Sequence, residues 1–96
     1  MIPGIMTRLS ESTVASTTTI TVKTDLAEIT GSTAIATIKA PGQGGFSSVI
    51  FLVPTDGTVA TVTTGNIPVA VTMAQNRVTV FVYSFRTGKW YPGAIS

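Results

Sequence analysis

"SSVIFLVP", residues 47–54, joins two serines to an unbroken apolar run that ends at a proline. The run falls far short of the roughly 20 residues that cross a bilayer. It reads instead as a strand buried on both faces, at the centre of a sandwich or between neighbouring subunits. This is the core strand, and the remaining segments are placed around it.

On its N-terminal side lies "PGQGGF", residues 41–46, whose three glycines mark a loop or tight turn with Phe46 anchoring the far end. A phosphate cradle would need Gly-Lys-Ser/Thr opening a helix, and here a strand follows. Further back, "TTTITVKTD" sets Ile20 and Val22 against Thr19, Thr21 and Lys23, the period-2 signature of a half-buried strand over residues 17–24. "EITGSTAIATIKAP" then reads as a short strand through Ile29 and Thr30, a turn at Gly31 and Ser32, and a strand over residues 33–39 that Pro41 ends.

On the C-terminal side, Asp56 and Gly57 give a hairpin signal leading into "TVATVTT", where Val59 and Val62 fall on different faces and allow a bulge. Gly65 and Asn66 turn the chain into another short strand. "NRVTVFVYSF" alternates Val78, Val80 and Val82 with Thr79, Phe81 and Tyr83, so both faces look partly buried. Thr87 and Gly88 turn into "KWYP", where Trp90 and Tyr91 should point to opposite sides of a terminal strand.

These segments give about seven or eight strands at roughly ten-residue spacing. The expected fold is all-β: an antiparallel β-sandwich, jelly roll or small barrel. Parallel βαβ units are set aside, because no interval carries a helical pattern. Residues 1–16 differ from the rest: "MIPGIMTRLSES" has no clean period and carries Ile2, Ile5, Met6 and Leu9 with nothing of its own to cover them. They are read as an N-terminal arm, and residues 17–96 as a single β-domain.

The chemistry open to this chain is narrow. Its 96 residues include no His and no Cys, which removes the usual general base, thiolate and imidazole metal ligands, a cysteine nucleophile and any disulfide framework. The many hydroxyls therefore lack an activating base. Only four acids are present, and of these Asp25 and Glu28 alone lie close together; a glycosidase would need a cleft around its carboxylate pair that so small a domain can hardly enclose. The expectation is no enzyme and no cofactor. Six Lys or Arg against four Asp or Glu are spread along the chain, so no phosphate-binding patch forms and no nucleic acid is expected as a partner. No membrane span and no secretory signal are expected either. Trp90 and Tyr91 beside Arg86 and Lys89 could build a stacking platform for a sugar or a base, but packing into the core or an interface is the stronger reading.

The order "ITVKTDLAEITGSTAIATIKAP", "GFSSVIFLVPTDGTVATVTTGNI", "NRVTVFVYS" and "GKWYP" resembles small β-rich virion proteins and modules of tailed bacteriophages over residues 17–92. Such sequences run from a Thr-rich strand to a Thr-Gly turn, a Gly-Phe strand start, a Gly-Asn-Ile turn and an aromatic ending. The matching positions are Thr30 with Gly31, Gly45 with Phe46, Gly65 to Ile67, and Trp90 with Tyr91. The sequence departs at Arg86, Thr87 and Gly88, which stand where an Asp-Gly turn is usual. The resemblance implies a non-enzymatic capsid decoration (cement) protein, a homotrimer bound to the major capsid protein on the outer surface of a virion assembled in the host cytoplasm. Its alternative is a tail or head-fibre module that binds host-surface carbohydrate. The contact residues expected for capsid or subunit are Ile2, Ile5, Met6, Leu9, Trp90 and Tyr91.

Overall fold

The computed structural model describes residues 11–41 and 48–93. Among them, β1 (Glu11–Ala15), β3 (Leu26–Thr30), β5 (Val49–Pro54), β8 (Thr79–Ser84) and β9 (Lys89–Pro92) form one sheet in the order β1-β3-β5-β8-β9. Four two-residue strands make two smaller sheets: β2 (Thr19–Ile20) beside β4 (Thr37–Ile38), and β6 (Val59–Ala60) beside β7 (Thr72–Met73). The described chain is all-β, and "SSVIFLVP" supplies the middle strand of the large sheet.

The expected antiparallel order holds only on one side of β5. There β5, β8 and β9 pair antiparallel; on the other side β1, β3 and β5 all run parallel. Parallel neighbours need a crossover, commonly a helix. The connections, described over residues 16–25 and 31–41, each carry a two-residue strand, β2 or β4, of a separate small sheet. These two strands also pair parallel, and an Ile35–Thr61 bridge continues the pattern. The chain therefore passes in turn between the large sheet and the small ones. The same winding overturns the hairpin expected at Asp56 and Gly57, since β6 leaves β5 for a separate sheet and pairs with β7. Asp56 clamps the turn after β3, its Oδ2 accepting the Gly31 N–H at 2.8 Å.

Alternation survives even where strands are short. Ile20 and Val22 are buried and Lys23 is exposed, although only Thr19–Ile20 belongs to a ladder. The strand expected over residues 33–39 likewise shrinks to β4, with Ile35 and Ile38 buried beneath it. Residues 11–15, expected in the arm, form the edge strand β1.

One apolar cluster joins the three sheets. Ala27, Ile29, Ile50, Leu52, Phe81 and Trp90 enter it from the large sheet; Ile20, Ile38, Val59 and Met73 enter from the small strands, with Ile35 and Ile67 from the connecting segments. Polar atoms in this interior are satisfied: the buried Thr61 hydroxyl accepts the Val71 N–H at 2.9 Å, and no buried side-chain N or O among the described residues lacks a partner.

Candidate functional site

The terminal hairpin is built by residues 85–88, which join β8 to β9. Gly88 has φ 69°, and its N–H donates to Ser84 O at 2.8 Å. A glycine takes that left-handed conformation without strain. Arg86, Thr87 and Gly88 thus close the hairpin where the resemblance led one to expect Asp-Gly. The register pairs Tyr83 with Trp90 on the inner face and Val82 with Tyr91 on the outer.

Trp90 is 1% exposed. Its Nε1–H donates to Ile38 O at 3.0 Å, its backbone N–H to Asn66 O at 2.9 Å, and its ring lies 5.1 Å from that of Tyr83. The Asn66 side chain completes the junction. Its Oδ1 accepts the Ile38 N–H at 3.0 Å and its Nδ2 donates to Ile38 O at 2.6 Å, so the amide serves the edge of β4 as a strand would. Three segments remote in sequence meet at one backbone unit. A sugar or base stacked on Trp90 would require the ring to leave the core, so Trp90 acts as a structural anchor.

Asn66→Asp isolates the donor half of this junction. The carboxylate still accepts the Ile38 N–H, but its second oxygen faces the Ile38 carbonyl with no proton to offer, at an expected cost of about 1–3 kcal/mol. Protonation restores a donor, so the loss relative to wild type should shrink as pH falls toward about 4. Urea midpoints of both proteins measured from neutral to acid pH test this.

Tyr91 is 38% exposed on the opposite face and donates its OH to Thr87 Oγ1 at 3.0 Å. Arg86 and Lys89 are also exposed, and Phe85, at 72%, stands out at the hairpin tip with its ring edge against Tyr83. Ile2, Ile5, Met6 and Leu9 lie outside the described residues. No group of three or more Asp or Glu that could hold a metal occurs among the described residues, and no helix there is long and apolar enough to cross a membrane.

What sequence reasoning missed is the outer face of the large sheet. Ladder partners share a face, so Leu26, Phe51 and Val80 form one outward row, and Val49, Val82 and Tyr91 the next. Val49, Val82 and nearby Val78 are 39%, 45% and 48% exposed. The valine side of β8, expected to be partly buried, faces out because Thr79, Phe81 and Tyr83 take the core. Its signal in the sequence was the Val78, Val80, Val82 alternation, which fixes that a face exists and not which side meets the core.

No protein-family model, curated protein or solved structure matches the chain.

Proposed function

We propose that this chain is a non-enzymatic structural protein that works by association: a capsid decoration (cement) protein, bound as a homotrimer to the major capsid protein on the outer surface of a tailed-phage virion assembled in the host cytoplasm. The apolar outer face of the large sheet is the observation that carries this proposal, because a protein whose task is to be covered by other chains needs such a face. The resemblance over residues 17–92 supplies the virion setting, and the small complement of acids without His or Cys supports a role without catalysis. In this proposal the large sheet and the small ones form two layers that close as a sandwich around the common core and act as a rigid block. Shell subunits are clamped at their junctions by buried apolar area and strand addition, with Ile2, Ile5, Met6 and Leu9 making the capsid contact.

The contact residues precede Glu11, the first described residue of β1. Deleting residues 1–10 should abolish co-sedimentation with undecorated capsids of the encoding phage while leaving the β-type circular dichroism unchanged. Retained binding by the deleted protein would place the capsid contact elsewhere, and failure of the wild type to co-sediment would refute the cement role.

A further inference from the structure

We infer that the outer face of the five-stranded sheet is the contact by which copies of this chain associate, three of them closing around an axis with these faces turned inward. This rests on the proposed trimeric cement role and gives its subunit interface.

The middle of the face carries no charge: Val49, Phe51 and Val53 of β5 lie beside Val80 and Val82 of β8. Charge sits toward the flanks, and its sign is divided. Glu11 and Glu28 point outward from β1 and β3 on one flank, while Lys89 does so from β9 on the other, with Arg86 exposed beyond it and Arg77 exposed just before β8. A face with acid at one end and base at the other is complementary to its own copy placed head to tail.

Size argues against a stacked pair. Strand spacing and rise make the outer face about 22 by 18 Å, or roughly 400 Å² in plan. Two such faces stacked would bury about 800 Å² in total, below the roughly 1,200–2,000 Å² of stable specific interfaces. A ring of three buries three such faces, about 1,200 Å² in all. It also fits the side chains. With Glu28 and Lys89 about 24 Å apart along the diagonal, three faces enclose an axis about 7 Å from each sheet, about 2 Å more than half the roughly 10 Å separation of packed sheets. Phe51 and Tyr91 fill that depth, and each acid flank meets the basic flank of the next chain.

Light scattering of the full chain at one fixed concentration tests this. The wild type should weigh about three times the 9.9 kDa chain. Val82→Lys, on an exposed position that leaves the core untouched, should return it to one chain with unchanged circular dichroism. Glu28→Lys should raise the concentration needed for assembly about tenfold, the effect of losing one favourable charge contact. Adding Lys89→Glu to the same chain should restore assembly. A trimer that survives Val82→Lys would overturn the inference while leaving the cement role standing. A two-chain mass would also overturn it, as would a monomer that associates only after deletion of residues 1–10, since the arm would then be what covers the face. Capsid co-sedimentation of the wild type reads the cement role separately from every one of these outcomes.

Discussion

Trp90→Ala should lower the stability of the domain by about 3–5 kcal/mol, the usual cost of emptying a buried tryptophan site. The ring is fully buried between Tyr83 and Ile38, and its loss leaves a cavity at the meeting point of the hairpin, β4 and the turn at Asn66. Domains of this size have about 5–15 kcal/mol in all, so the variant sits near the edge of folding. Each kcal/mol is worth about 4–8 °C, so the melting temperature should fall by at least about 12 °C. Trp90→Phe separates packing from the hydrogen bond: it keeps much of the apolar volume, loses the Nε1–H, and should cost much less than the alanine. The Ile38 carbonyl still receives the Asn66 amide in that variant. Thermal melts must compare equal protein concentrations, because association raises the apparent stability. Equal losses for the two variants would show that the ring's packing contributes little.

Gly65→Ala is the second large effect, and its sign runs against a common rule. Replacing an exposed turn glycine by alanine ordinarily stabilises by about 0.4–1 kcal/mol, because it restricts the unfolded chain. Gly65 is exposed, yet a methyl group there would run into the Ala36 carbonyl oxygen and Thr37 Oγ1, and would stand 2.8 Å from the Ala36 carbonyl carbon. Two of those three obstacles are backbone, which cannot swing aside. The expected loss is about 1–3 kcal/mol or more, the range for forced overpacking. It should spread to Asn66, whose side chain holds Ile38 next door. Gly57→Ala is the control: nothing lies within 4 Å of its added carbon, and no loss is expected. Chemical denaturation of the pair tests the close approach directly; matching midpoints would mean that the turn shifts freely.

Much of this fold was legible in single segments. The apolar run of residues 49–53 marks the central strand, Ile20 and Val22 mark a buried face, and Thr87 with Gly88 marks the final hairpin. Local periodicity shows which side chains share a side. It does not say which strand lies alongside, and there the expectation failed. Crossovers were sought as helices, whereas residues 16–25 and 31–41 carry the two-residue strands β2 and β4, whose alternation shows a buried face and not a parallel partner. That Trp90 and Tyr91 point to opposite sides was legible from their places in a terminal strand, but the choice of Trp90 for the core was not. Nor was its partner, because the contact with Ile38 spans 52 residues and depends on the parallel winding. The outer face stayed hidden for a related reason: valine suits either side of a sheet, and only the register of β8 against β5 and β9 turns Val80 and Val82 outward.

The most direct measurement is electron cryomicroscopy of capsids of the encoding phage, prepared with and without this protein. The account predicts added density on the outer surface, three chains to a unit, bridging neighbouring shell subunits with the large sheets turned toward one another. Shells that look identical with and without the protein, or density confined to the tail, would contradict it.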